Sequence, residues 1–419
     1  ASRVMVELTE RTPIRWQVLP DWPDYHCELP HGLPGGRSIW PESLRVPEVV
    51  ARQVRRPLEH TYGIADTPAD AGVVLRGLVR GHVLVAGLLM ALVELGVEVR
   101  TDARVTDLFT DRAGVAGVMV GEERLAGTVV LATGGFQWDR RLASTFLPAP
   151  GIAPLGTPGC RGDGLRWSMA AGAELGNMAE GWWMPSFHVP GEEVDGQPLW
   201  RSLHAERAQP GALLVDGNGR RYVNEAQNYG DVGRAMFRFD AAHHAWPAMR
   251  SWLVFDSIYR AAFPVGPLRP GDDDPAWLIS APTVEALAKE TGVPASELVA
   301  TMARWNAGAA RGEDHEFGRG TRLYDRWIGG DALGCIDNAP FYAIEVHAGC
   351  LGTKGGPRTD EQGRVLRPDG SVIEGLFAAG NVAASPFGTA TAAGGATLGP
   401  ALVFGWRAGE GATDVCADV

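Results

Sequence analysis

Two short apolar runs, far apart in the chain, each stop at glycine. The first is "VVLATGGF", Val129 to Phe136. The second is "GLFAAGN", Gly375 to Asn381, which runs through a small-residue loop into "GGATLGP" at 394–400. A continuous β-branched run fits a strand covered on both faces, as in a parallel sheet. In doubly wound sheets ligands sit at the carboxyl ends of the strands, and glycine there lets the backbone approach a ring or a phosphate. Thr397-Leu398-Gly399-Pro400 predicts the first turn of a helix over 397–411. Proline is tolerated there because its missing N–H would have no intrahelical partner. Such a helix end carries free N–H groups and partial positive charge, suited to an anionic or electron-rich ligand edge. Either glycine pair alone is equally well a tight turn after a core strand; together they favour a cofactor clasp.

The remaining features bound the answer. At 419 residues and 45% hydrophobic, the chain is long enough for two domains and a large core. A net charge of -12 and a pI near 5.4 give no general attraction for nucleic acid or an anionic membrane. The five cysteines, Cys27, Cys160, Cys335, Cys350 and Cys416, show no CxxC spacing, so neither a disulfide framework nor a zinc site is expected, and a reducing cytoplasm is. No metal site is expected. No basic start leads into an apolar run, so no secretory signal is expected. The most apolar window, Val83 to Gly96, is short of the ~20 residues that span a bilayer and reads as a buried helix. The first residue, Ala1, fits either Met removal or a truncated product.

Residues 1–70 are rich in Pro and Trp and read as irregular structure with short helices. "VEVRTDARV" alternates like a strand and is followed by short strands with turns at Asp111–Gly114 and Gly121–Glu123. "GDGLRWSMAAGAELG" has helical periodicity. "ALLVDGNGRRYVNEA" reads as a hairpin turning at Asp216–Gly219. "TVEALAKETG" and "PASELVATMARWNAGAA" read as helices, with Thr283 as N-cap and Pro294 near the second start. The expected fold is α/β, a Rossmann-like sheet domain interrupted by an α+β insert. The expected divisions are 1–136, 137–340 (the insert) and 341–419.

Five ordered blocks, "VVLATGGF", "GDGLRWSMAAGAELGNM", "LLVDGNGRRYVNEAQNYGD", "FYAIEVHAGCLGTKGGPRTDEQGRVL" and "GLFAAGN…GGATLGPALVFG", resemble the fumarate reductase/succinate dehydrogenase-type flavoproteins. Within them the chain is most similar to the 3-ketosteroid Δ1-dehydrogenases. The resemblance implies FAD as cofactor and an oxidoreductase that dehydrogenates a C–C bond next to a ketone in an apolar substrate. Members of the family also carry an N-terminal βαβ unit with GxGxxG. Here "GLPGGRS" and "GCRGDG" have the wrong spacing and follow no strand, so the FAD-binding domain reads as N-terminally incomplete. A fragment, a second polypeptide supplying that half, or lost flavin binding would each explain it. Association with another chain or a homo-oligomer is expected.

The resemblance assigns Val105 to the adenine, and Ala132, Thr133, Gly134 and Gly135 to the dinucleotide. It assigns Gly380 and Asn381 to the pyrophosphate and ribityl chain, and Thr397, Leu398 and Gly399 to the isoalloxazine. Tyr229 falls at the proton-accepting tyrosine and Gly395 at the backbone donor to the ketone. Thr391 stands where a second tyrosine is expected. A threonine hydroxyl is shorter and less acidic, which puts Δ1-dehydrogenation itself in question while leaving ketone binding at Gly395. The loop 388–397 has no arginine, which disfavours a C4 dicarboxylate. Trp182 and Trp183 are candidates to line an apolar pocket, and His347 is a candidate substrate contact. A reductase of a small conjugated acid and a flavin-free binding protein are the competing readings.

Overall fold

The described residues of the computed structural model are 2–47, 50, 81–330 and 333–417. The part of the Pro-rich stretch within 51–70 lies outside them. Helix Ser2–Arg11 buries Val4 and Leu8. It leads into a two-stranded antiparallel ladder, β1 (Trp16–Val18) with β2 (Ile39–Pro41), in otherwise irregular chain. Helix Gly81–Glu94 ends just before Gly96, whose φ of 69° stops it. An antiparallel meander follows: β3 (Val105–Thr110), β4 (Val115–Val120) and β5 (Glu123–Ala126). The alternation of 97–105 predicts a strand, but pairing begins only at Val105. Gly96 and Asp102 both take left-handed φ, which breaks an extended run.

β6 (Val129–Leu131) precedes helix Arg140–Phe146, whose cap is Asp139, accepting from the Leu142 amide at 2.8 Å. Next come β7 (Ala153–Pro154), helix Asp163–Ala170 and β8 (Leu175–Gly176). Then follow β9 (Gly181–Val194), β10 (Gln197–Ser202), β11 (Ala212–Val215), helix Tyr229–Ala235 and β12 (Arg250–Asp256). Helix Ser257–Ala262, β13 (Ile279–Ala281) and helices Val284–Thr291, Ala295–Ala309 and Leu323–Gly329 complete the middle of the chain. The last part holds β14 (Phe341–Thr353), β15 (Gly356–Pro357), β16 (Arg364–Leu366), β17 (Val372–Ala378) and helix Leu398–Ala417.

Seven strands form the largest sheet, in the order β10-β9-β14-β12-β11, with β13 and β7 also paired to β14. Alternate side chains divide between its faces. Leu214, Leu253, Phe255 and Ile344 enter one core cluster. Leu213, Trp252, Val254 and Ala343 enter another, roofed by Leu287, Leu298 and Met302 from the helices Val284–Thr291 and Ala295–Ala309. β14 follows residue 340 and is central to this sheet, and its far end brings Thr353 beside Gly135.

A smaller sheet has the order β16-β17-β6. β17 and β6 are parallel, with Leu376 opposite Val129, Phe377 opposite Val130 and Ala378 opposite Leu131. The two glycine-ended strands of the sequence are therefore neighbours, and their carboxyl ends open on the same side.

The expected hairpin at 212–223 forms only in part. Its turn is present, with the Gly219 amide bonded to the Asp216 carbonyl at 2.9 Å. The return arm makes a single bridge, Arg221 to Val215, and β11 pairs with β12 instead. Arg221 is the reason, because its side chain turns inward to a buried ion cluster rather than lying along a ladder.

Candidate functional site

The strand ends build the floor of the site. Past β6, Ala132 and Thr133 are exposed and Gly134 has φ 72°. Past β17, Gly380 has φ 78° and opens a short turn to Val382. Helix Leu398–Ala417 begins across from them. A cleft of about 610 Å³ lies between the end of β17 and that helix, lined by Trp182, Gly380, Asn381, Thr397, Pro400 and Phe404 among others; Ala132, Thr133, Gly134, Gly135 and Gly395 do not line it. A Cβ on Gly395 or Gly399 would meet nothing within 4 Å, so the loop and the helix start present bare backbone to the open side. The Asn381 side-chain oxygen, Oδ1, accepts from the Trp182 indole N–H at 3.1 Å. A Cβ on Gly352 would collide with the Asn381 amide, so glycine is needed there to let Asn381 take this place. Val105 starts β3, and its neighbour Arg104 reaches Asp163 at 3.6 Å. Asp163 opens the helix on which Gly164 lies against Thr133 and Val382. Bare backbone at two strand ends and a helix N-terminus, with apolar walls, fits a flavin dinucleotide, which needs donors along its phosphates and close approach along its ring.

Against the loop that leads to the last helix stands a pair of tyrosines. Tyr229 is the first residue of its helix, with Asn228 as cap. Its hydroxyl is hydrogen-bonded to that of Tyr25, and the two rings meet edge-on at 5.5 Å. Tyr25 is buried, and its amide donates to the Ala392 carbonyl at 3.0 Å. Burial pushes its hydroxyl well above the usual phenol range. Thr391 is buried, and its hydroxyl oxygen lies 2.7 Å from where a Cβ on Gly230 would be, so it packs on the Tyr229 helix. Nearby, His26 Nε2 lies 2.9 Å from Asp231 Oδ2, and the bond to Asp231 raises the imidazole pKa.

Several bonds hold the loop that joins Gly380 to the last helix. Asn177 Nδ2 donates to the Ser385 carbonyl at 2.8 Å, Arg234 to the Thr389 carbonyl at 3.0 Å and Lys354 Nζ to the Ala390 carbonyl at 2.8 Å. Arg234 is also paired with Glu180. Lys354 is buried, with Nζ 4.1 Å over the Trp182 ring, and burial lowers its pKa to about 8. The charged form that grips Ala390 and Trp182 is therefore complete below that pH and lost above it. Between about pH 8 and the ordinary lysine value the unfolded chain binds more protons, so this group makes the fold more stable as pH rises. The expected result is a KM that rises through about pH 8 with no loss of thermal stability from this residue. A Lys354→Arg variant, charged throughout, should show no such rise; steady-state kinetics and melting curves across pH check both.

Trp182 and Trp183 part company. Successive side chains on β9 face opposite ways, so Trp182 lines the cleft. Both are buried, Trp182 at 3% and Trp183 at 2% exposure, but Trp183 packs with Phe136, Leu142 and Cys350, meets Phe237 at 4.6 Å and does not line the cleft. Trp183 is a core residue and not a pocket wall. His347 is also elsewhere: it pairs across β14 with Ser186 and Arg250, its Nε2 is 2.9 Å from Glu345, and its ring is edge-on to Trp200. Burial lowers its pKa. Cys350 is fully buried, which pushes its thiol to about 12 and leaves it inert at neutral pH.

Tyr25, Asp231, Lys354's grip on the loop and the buried Arg207 escape the sequence reading. Tyr25 lies in a Pro-rich stretch without periodicity, and its partners are distant in the chain. Among the described residues no three His, Cys, Asp or Glu side chains are placed to hold a metal, and no helix is long and apolar enough to cross a membrane.

Known proteins agree with this geometry. Residues 31–398 match the model of the FAD-binding domain family. The chain is 36% identical to 4-oxocyclohexanecarboxylate 2-dehydrogenase of Sinomonas cyclohexanicum, over 94% of this chain and 74% of the relative. It is 33% identical to a 3-oxosteroid 1-dehydrogenase of Mycobacterium tuberculosis, over 95% of this chain and 80% of that one. The crystal structure of 3-ketosteroid Δ1-dehydrogenase from Sterolibacterium denitrificans, in complex with 1,4-androstadiene-3,17-dione, superposes with a TM-score of 0.89 at 32% identity, over 98% of this chain and 83% of that one. A probable fumarate reductase of Shewanella frigidimarina is a more distant relative, 27% identical over 81% of the chain. The glycine-ended strands, the bare helix start and these likenesses place the chain in the FAD-binding domain family, as an FAD-dependent oxidoreductase acting on CH–CH groups.

Proposed function

We propose that the chain desaturates a ring C–C bond next to the ketone of a flat apolar substrate, with Tyr229 as the proton acceptor. The observation that carries this is the hydroxyl pair Tyr25–Tyr229 at a helix start, against the loop that runs through bare Gly395 to Ala396 and Thr397 in the cleft wall. FAD, when bound, supplies the hydride acceptor. Gly395 offers the ketone oxygen a backbone position that no side chain obstructs, and donors there matter most as the enolate charge develops. Tyr229, having first given up its own proton to solvent, takes as phenolate the proton from the carbon next to the carbonyl. That C–H bond breaks, its electron pair moves into the enolate, and the new O–H restores the neutral tyrosine. Ala132, Thr133, Gly134, Gly380, Asn381, Thr397 and Leu398 are the residues proposed to hold the cofactor. Trp182 fixes Asn381 and closes one wall. The proposed lobes are 1–136 with 341–419, and the insert 137–340, with β14 running from one to the other. Among the described residues Cys27, Cys160, Cys335 and Cys350 are free, which suits a reducing cytoplasm.

The buried Thr391 favours a second substrate size. Where a tyrosine would fill the space beside Gly395, a short side chain turned into the Tyr229 helix leaves room for a differently placed ring, and one relative's name denotes action on a monocyclic keto acid. The test offers the FAD-loaded chain 4-androstene-3,17-dione and, separately, 4-oxocyclohexanecarboxylate, with a dye as electron acceptor. Formation of a new ring double bond in either is the expected result, and the preferred one fixes the substrate size. Bound flavin with neither ketone desaturated would sink the reading.

A further inference from the structure

We propose that Arg207 is a positioning residue for this site: a buried, permanent cation that stabilises negative charge on the Tyr25–Tyr229 pair. The inference rests on the reading of Tyr229 as the base.

Arg207 is 0% exposed. Its guanidinium is held by backbone carbonyls alone: Nε donates to Leu203 O at 3.2 Å, and Nη1 to Gln227 O at 2.8 Å and to Glu225 O. Gln227 is two residues ahead of Tyr229, so the grip ties the guanidinium to the backbone that leads into that helix. Nη2 is buried and has no hydrogen-bond partner among the described residues. The Tyr324 hydroxyl is buried and unpartnered in the same way, and its ring meets that of Tyr25 at 5.1 Å. Buried charges are ordinarily paired. The missing counter-charge here is what a phenolate would supply.

The surrounding charges do not cancel this cation. Burial lowers the Arg207 pKa, with Tyr324, Glu206 and Glu225 favouring its charge and Arg319 opposing it; a guanidinium starts so high that it stays charged at neutral pH. Glu225 is already taken by Arg221 at 2.8 Å, with Arg319 at 3.5 Å. Glu206 is fully buried, which raises its pKa and moves it toward the neutral form. Tyr25 in turn faces Tyr229, Tyr324 and Arg207, and of these Arg207 alone favours its ionised form. A tyrosine that must lose its own proton to act as base needs such a neighbour, since burial and the second phenol both work against it.

The experiment uses the FAD-loaded full chain with whichever of the two ketones it turns over. It compares wild type, Arg207→Lys and Arg207→Met by the pH profile of kcat/KM, and by spectrophotometric titration of phenolate in the same proteins. Removing the charge should move the ascending limb up by about one pH unit, which is about a tenfold loss of kcat/KM at a fixed pH on that limb. Lysine keeps the charge but cannot span three carbonyls, so its limb should move by less. A limb unmoved in both variants, or moved equally in both, overturns the inference. Should Arg207→Met fail to fold, Arg207→Lys decides alone: a small upward shift supports the role and an unmoved limb overturns it. Tyr229→Phe separates the two levels. If it keeps full activity, the base assignment and this inference both fall; if it is inactive while the Arg207 limb stays put, only this inference does.

Discussion

Tyr229→Phe should keep its flavin and lose catalysis, with kcat falling about 10²–10⁴-fold, the usual worth of a positioned general base. Phenylalanine keeps the ring contacts to Tyr25 and His204 and leaves the Asn228 cap untouched, so helix Tyr229–Ala235 should form as before. What disappears is the oxygen proposed to receive the proton. The visible spectrum of bound flavin and the KM for the ketone should change little, because neither depends on that oxygen. Stopped-flow reduction of the flavin by substrate reads the step directly. A variant that reduces its flavin at the wild-type rate would remove Tyr229 from the chemistry. Tyr25→Phe should fall between the two, since it deletes the hydroxyl partner and leaves the acceptor.

The largest effect on stability is expected from Arg221→Met. The Arg221 side chain is 1% exposed and pairs with Glu225 at 2.8 Å and Asp314 at 2.8 Å, both nearly fully buried. The guanidinium also lies over Trp305 at 4.7 Å and Phe317 at 5.1 Å. Removing it strands two buried carboxylates, with Arg319 left to face Glu225, and the expected loss is about 3–5 kcal/mol in chemical unfolding. Burial works against charge on Asp314, yet the Arg221 guanidinium holds its pKa down to about 2. A carboxylate depressed in the folded state contributes stability above its unfolded pKa and loses it as pH falls through the folded one. The wild type should therefore lose this contribution as pH falls from about 4 toward 2. An unfolding midpoint for the variant equal to that of the wild type at neutral pH would show that the cluster is not a source of stability.

These two residues also show how much of the molecule the sequence displays. Runs such as 129–131 and 376–379 announce strands because they are unbroken, apolar and followed by glycine; β17 buries Leu376, Phe377 and Ala378 as expected, but Val130 of β6 is 38% exposed, so that strand is covered on one face rather than both. Thr283 caps its helix as its residue type predicts, accepting from the Ala286 amide at 3.2 Å. Tyr229 stands out by its place in a block of family likeness. Local pattern fails where a distant partner decides. Arg221 looks like the return arm of a hairpin until Glu225 and Asp314 draw it inside. Trp182 and Trp183 are chemically identical neighbours, and only the packing of Phe237 and Leu165 on one side of β9 determines which is core. Tyr25 and Arg207 carry no periodicity at all, since each is fixed by carbonyls and rings contributed from other parts of the chain.

The segment from Ser385 to Ala392 is covalently continuous with the cofactor lobe, yet its carbonyls are gripped by Asn177, Arg234, Lys354 and Tyr25. Asn177 and Arg234 come from within residues 137–340, and Tyr25 and Lys354 from the chain on either side, so the segment is stitched to both parts rather than to one. Loosening any one stitch is expected to shift the proposed ketone donor, Gly395, relative to the proposed base, Tyr229.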